Sequence, residues 1–241
     1  DYAVTGVQTC ALPISYGGYF TLADNLDGAT RAAFDAVAQA DSIVVDPHKH
    51  GLQPYGCGCV LLRNPSEGRF YQHQSPYTYF TSAELHLGEI SLECSRPGAA
   101  AVALWATQRL LPMVPGGEFA RGLEAAHRAA LGLHRHLANS EHYLAGPAPE
   151  LDIVVWTMAA PGRQAASRRA QAVFDGAAQR QLHLALLRVP NQLAAAWWPR
   201  LARDAETVTA LRSCLMKPEH AEWLPRIIER LDTAAREPLS A

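Results

Sequence analysis

Lysine is nearly missing from this chain. Of 21 basic residues, only Lys49 and Lys217 are lysines and the rest are arginines. Charge is sparse in general: charged residues make up 18% and the formal net charge is −2. The chain as a whole therefore offers no basic field for gripping nucleic acid. No apolar run reaches the ~18–20 residues that a membrane-spanning helix needs, and the first residues lack the charged-then-apolar order of a secretory signal. Five cysteines at irregular spacing do not suggest a disulfide framework. There is no internal repeat, and no low-complexity segment beyond alanine-rich stretches. What is present is 241 residues of which 49% are hydrophobic, enough for one large core or two small ones. A soluble, cytoplasmic globular protein is the expectation, with neither nucleic acid nor membrane as a partner.

The shortage of lysine gives the two that remain some meaning. Arginine stays protonated and cannot condense with a carbonyl, whereas a lysine amine can be deprotonated and can do so. Lys217 sits in a polar Lys-Pro-Glu-His turn and reads as solvated surface. Lys49 lies between two apolar runs. Before it, Ser42-Ile43-Val44-Val45 reads as a short buried strand, β-branched and apolar. After it, residues 58–63 read as a second strand closed by Asn64-Pro65. Asp46-Pro47-His48-Lys49-His50-Gly51 interrupts the two, because proline and glycine punctuate strands. Lys49 is thus expected on a tight connection between core strands, where a side chain can be aimed into a cleft.

The remaining pattern divides the chain. A helix is expected over residues 28–39, a long loop over 66–95 rich in Tyr, His, Ser and Thr, and an apolar helix over 98–111. A loop of that length in a compact domain is functional or disordered. Pro115-Gly116-Gly117 is the best candidate boundary. Beyond it, helix and strand periods alternate: helix 117–138, strand 150–159, helix 163–180, strand 183–189, strand 207–215 and helix 218–236. That is a small α/β domain. At the other end, Val4-Thr5-Gly6-Val7-Gln8-Thr9-Cys10-Ala11-Leu12-Pro13-Ile14 resembles the translation of a sequencing adaptor, so residues 1–15 are expected to be non-native and are set aside from fold reasoning.

The segment Asp41-Ser42-Ile43-Val44-Val45-Asp46-Pro47-His48-Lys49 resembles the cofactor-lysine motif of the group II pyridoxal-phosphate-dependent amino-acid decarboxylases, which act on aromatic amino acids, glutamate and diaminobutyrate. Tyr16-Gly17-Gly18, Ser95-Arg96 ahead of an apolar helix with Trp105, and Leu211-Arg212-Ser213-Cys214-Leu215 match further signatures of that family in its order. The resemblance implies an α/β chain of the fold-type-I, PLP-dependent transferase class. Residues 16–115 would be the C-terminal part of the large cofactor domain, and residues 116–241 the small domain. It implies pyridoxal 5'-phosphate carried on Lys49, an amino acid as substrate, and a homodimer with sites between subunits. By the same resemblance His48 would help hold the cofactor's phosphate, and Tyr77 or Tyr79 on the following loop would deliver a proton.

Each of these residues has a plainer reading. His48 can be satisfied by backbone bonds, and Tyr77 and Tyr79 can be packing aromatics. Arg96 precedes a proline and a helix, so its guanidinium can meet a substrate carboxylate bidentately or equally form an interfacial salt bridge. His48 and His50, with no Cys or carboxylate at ligand spacing, make a poor zinc signature. Cys57 and Cys59 read as core filling. The rival functions are an aminotransferase or lyase of the same fold, and a non-catalytic interaction domain derived from such an enzyme. The family's aspartate opposite the cofactor's ring nitrogen falls here on Pro13, inside the adaptor-like segment, and its upstream stacking histidine has no counterpart. This 241-residue chain alone is therefore expected to release no CO₂ from amino acids. A manometric or isotopic assay that detects release would contradict that expectation.

Overall fold

The structure is a computed structural model, and it describes residues 11–72 and 98–236. The chain divides into two compact units, Asp1–Ala23 with Gly28–Phe119, and Asp24–Asp27 with Ala120–Ala241.

In the first unit three strands form one sheet in the order β1-β2-β3. Strand β1 (Ala11–Pro13) runs parallel to β2 (Ser42–Val45), with Leu12 opposite Ile43, and β2 pairs antiparallel with β3 (Cys59–Leu62), with Val44 opposite Val60. A 3₁₀ turn, Gly18–Leu22, follows β1. Helix α1 (Gly28–Ala36) then runs into a second 3₁₀ turn, Val37–Gln39, and leads into β2. After β3 comes a third 3₁₀ segment, Pro65–Tyr71, capped by Asn64, whose side chain accepts a hydrogen bond from the Ser66 amide. Helix α2 (Ala99–Leu110) completes the described part of this unit.

The strands around Lys49 lie where their apolar, β-branched runs put them, but they are not the buried core strands expected. Val44 is 37% exposed, Leu61 52% and Val60 64%. A four-residue apolar run cannot distinguish a strand covered on both faces from one with a face open. The connection is also longer than a tight turn, since it occupies residues 46–58.

The second unit is built on a four-stranded antiparallel sheet in the order β4-β5-β7-β6. The strands are β4 (Tyr143–Ala145), β5 (Ile153–Met158), β6 (Ala185–Pro190) and β7 (Thr207–Cys214). Since β5 and β6 are each antiparallel to β7, they run the same way, and helix α4 (Arg163–Gln179) is the crossover between them. Helix α3 (Glu118–Ala138), α4 and α6 (His220–Arg236) share one core with the sheet. Leu133 and Leu137 of α3, Val173 of α4 and Leu231 of α6 meet Val154 and Trp156 of β5 and Leu211 of β7 there. Trp156 is fully buried. Its Nε1–H donates to the Ser213 hydroxyl at 3.3 Å, and its ring meets Tyr143 edge-on at 5.2 Å.

The alternating helices and strands expected beyond residue 117 are present within a few residues of their expected ends. Two elements were not anticipated. Strand β4 has three residues, too few for a period to register. Helix α5 (Asn191–Trp197) begins directly after Pro190, where the proline reads as a strand end although it also sits well ahead of a helix's first turn. Alanine-rich α5 supplies Ala194, which packs with Trp198, Leu201, Val189 and Val208 in a second cluster.

Leu231, 1% exposed, leaves a cavity if truncated. Leu231→Ala is expected to cost about 2–5 kcal/mol, read by chemical denaturation, whereas Glu229→Ala on the exposed side of the same helix stays within ~0.5 kcal/mol.

Candidate active site

Strand β2 ends at Val45, just ahead of Asp46-Pro47, where Pro47 has no amide hydrogen to continue the ladder. The chain then folds into a bonded turn: the Lys49 amide donates to Asp46 O at 2.9 Å, and the Gln53 amide to Pro47 O at 3.1 Å. The Asp46 amide itself donates to Ser15 O at 3.1 Å. Gly51 is required in this turn. A Cβ there would lie 2.5 Å from the Tyr19 hydroxyl oxygen and 2.7 and 2.8 Å from the Pro47 Cα and O.

Three side chains anchor the turn. His50, 3% exposed, has its Nδ1 at 2.8 Å from Tyr16 O, so that nitrogen carries the hydrogen and donates. Its ring sits edge-on to Tyr16 at 4.6 Å and Phe20 at 5.1 Å. The Gln53 side-chain amide donates to Gly51 O at 3.1 Å and to the Thr107 hydroxyl on α2 at 2.8 Å. His48 donates from its backbone amide, at 3.2 Å, and from ring Nδ1, at 2.7 Å, to Cys57 O. That leaves His48 Nε2 as its open nitrogen, 3.9 Å from Asp46 Oδ2.

Lys49 emerges from this frame. Its Nζ donates to Asp46 Oδ2 at 2.8 Å and to the Ser15 hydroxyl at 3.1 Å, with the side chain 31% exposed. The Asp46 carboxyl titrates below the ordinary carboxylate range, first because of the Lys49 hydrogen bond and then because of the charges of Lys49 and His48 and a Ser15 hydrogen bond, while partial desolvation opposes them. Burial pushes the Tyr19 phenol up to about 12, and the neighbouring Cys59 and Cys57 add to the shift. Tyr19 is thus a neutral hydroxyl wedged against Gly51. Burial also raises the Cys59 thiol, with Cys57 adding to it, and neither cysteine is in a disulfide.

Chemically, the turn presents one primary amine, held by a carboxylate and a hydroxyl, beside an imidazole whose ring orientation is set by a backbone carbonyl. A carbonyl compound bearing an anionic group is the ligand class such a donor set fits.

No protein-family model matches the chain. It is 32% identical over 108 residues to the L-tyrosine decarboxylase of Enterococcus faecium, a stretch covering 43% of this chain and 18% of that protein. It is 34% identical over 61 residues to the L-2,4-diaminobutyrate decarboxylase of Acinetobacter baumannii, covering 25% of this chain and 12% of that one. Among solved structures it resembles Oryza sativa TDC with PLP and tryptamine, with a TM-score of 0.73 at 13% identity, over 95% of this chain and 45% of the other. Over those stretches the chain is similar in sequence to amino-acid decarboxylases. Its fold is the fold-type-I architecture of those enzymes. It spans less than half the length of each of these three proteins.

Lys49 and His48 stand side by side on one turn, as their sequence adjacency requires. Tyr77, Tyr79 and Arg96 lie outside the described residues, as does most of the expected 66–95 loop. Within that loop the described part, up to residue 72, is largely 3₁₀ helical rather than irregular. Four residues that shape the site were not singled out. Asp46 was legible in principle, since position i of a proline-containing turn faces i+3. Gln53 and Ser15 were not, because their partners are distant in sequence, and Ser15 belongs to the adaptor-like segment. His50, weighed only as half of a poor zinc signature, serves as a packing anchor.

A depressed Asp46 carboxyl stabilises the folded state above its ordinary value of 3.8, and this contribution is lost as pH falls through the lower folded-state value. In ¹³C NMR the Asp46 side-chain carbon should titrate below 3.8 in the wild type and move back up towards 3.8 in Lys49→Gln. Identical midpoints in the two proteins would show that Lys49 is not the cause.

Proposed function

We propose that this chain is part of a pyridoxal-phosphate-dependent decarboxylase that converts an L-amino acid to the amine and CO₂. The observation that carries the reading is the Lys49 amine, presented by a glycine-dependent turn in a chain related by sequence to decarboxylases. The donor set fits the cofactor: Lys49 offers the amine that its aldehyde requires, and His48, whose Nδ1–H is held by Cys57 O, would donate from Nε2 to a phosphate oxygen as the imidazolium. When bound, pyridoxal phosphate supplies a sink for the electrons left behind as CO₂ departs.

The protein's own residues supply attachment, orientation and protons. Lys49 would hold the cofactor, and His48, its ring fixed on Cys57 O, would address the phosphate. By the family resemblance, Tyr77 or Tyr79 would return a proton to the substrate carbon. Arg96 receives the substrate carboxylate as a two-pronged pair. Residues 16–115 belong to the large cofactor domain and 116–241 form the small domain, with residues 1–15 non-native. The working form is a homodimer in the cytoplasm; among the described residues no helix is long and apolar enough to cross a membrane. The substrate is kept at the level of an L-amino acid, since the two relatives named above act on side chains as different as a phenol and an amine.

Incubation of the chain with pyridoxal phosphate, then borohydride, should leave the reduced adduct on Lys49 in peptide mass mapping, with Lys217 as the internal control. Lys49→Arg should abolish it. Equal labelling of Lys49 and Lys217 would sink the reading.

A further inference from the structure

The Lys49 amine is not simply exposed on its turn. Asp46 Oδ2 accepts its hydrogen bond at 2.8 Å and is 3.9 Å from His48 Nε2, and the Ser15 hydroxyl accepts a second bond from Nζ at 3.1 Å. These are the polar groups that the described residues bring to the amine, and Asp46 is the charged one in ion-pair contact with it. The carboxylate is itself fixed, because its backbone amide is bonded to Ser15 O and its backbone carbonyl accepts the Lys49 amide. The pair is thus an i,i+3 clamp across one turn, built so that the side chain of Lys49 folds back on its own backbone.

We propose that Asp46 is a positioning residue that holds Lys49 in reserve and sets how readily its amine condenses with a carbonyl. Condensation requires the ammonium to give up a proton to solvent and the neutral nitrogen to attack the carbonyl carbon. One C=N bond forms and one water leaves. The product nitrogen keeps at most one of the three N–H groups that faced Asp46 and Ser15, so the clamp must open before attachment and cannot re-form unchanged after it. Asp46 sits on the turn's own backbone, where its carbonyl accepts the Lys49 amide, so its carboxylate does not follow the amine. Asp46 therefore opposes attachment to any carbonyl compound, and does so more strongly at low ionic strength, where a partly exposed pair is least screened. The identity of the physiological carbonyl as pyridoxal phosphate rests on the function proposed above; the restraint itself does not.

The scarcity of lysine makes this measurable. The folded 241-residue chain is treated with limiting formaldehyde and cyanoborohydride, and the ratio of methylation at Lys49 to that at Lys217 is read by peptide mass mapping. Asp46→Asn should raise the ratio by roughly two- to fivefold, the range that a partly exposed ion pair supports. Asp46→Glu, which keeps the charge, should stay near the wild-type ratio. Added salt should raise the ratio in the wild type and leave it unchanged in Asp46→Asn, which a merely structural role for Asp46 would not produce. An unchanged or lower ratio in Asp46→Asn, or a wild-type ratio indifferent to salt, overturns the proposal. If Asp46→Asn does not fold, the wild-type salt series decides alone. A parallel arm with pyridoxal phosphate separates the two claims. Restraint towards formaldehyde with no selective cofactor adduct at Lys49 would leave Asp46's role standing and remove the proposed function.

Discussion

Gly51 packs so closely against the Pro47 backbone and the Tyr19 hydroxyl that a side chain has no room there, and the shape of the Lys49 turn follows from that approach. Because the turn closes tightly, His50 is drawn between Tyr16 and Phe20, Gln53 reaches Thr107, and His48 meets the Cys57 carbonyl. Each of those contacts removes a degree of freedom from the backbone that carries Lys49. What is left mobile is the lysine side chain, and Asp46 restrains that. A catalytic amine needs this kind of support, since reactivity depends on position more than on the presence of the group.

The two units use different physics. In the second, three helices and a sheet bury Leu, Val and Trp side chains in one continuous core, and stability comes from apolar burial. In the first, order around Lys49 also comes from directional bonds, aromatic edges and one steric contact. The first kind of order tolerates substitutions of similar volume. The second kind depends on particular donors, acceptors and one close approach, so a change of residue type disrupts it.

That difference also explains what was legible in the sequence. The second unit's helices and strands were readable because burial on one face imposes a period, and the misses were β4 and α5, elements too short to show one. Around Lys49 the strand positions were readable from β-branched runs, and the lysine stood out because arginine had replaced its neighbours everywhere but at Lys217. The support was not readable. The bonds of Ser15 to Lys49 and of Gln53 to Thr107 join residues 34 and 54 positions apart, and nothing local in either segment announces its partner. The packing role of His50 was not readable either, because the rings it meets, Tyr16 and Phe20, lie on a distant segment. β2 and β3 keep apolar surface exposed in this chain, since an apolar run reports affinity for a core, not the presence of one.

The central claim is that Lys49, and not another nucleophile, is where a carbonyl cofactor joins this fold. The most direct measurement is a crystal structure of the chain soaked with pyridoxal phosphate. The account predicts electron density continuous from Lys49 Nζ into the cofactor, with Asp46 no longer bonded to that nitrogen and His48 Nε2 facing the phosphate. Cofactor density joined to a different residue, with Lys49 still paired to Asp46, would contradict it.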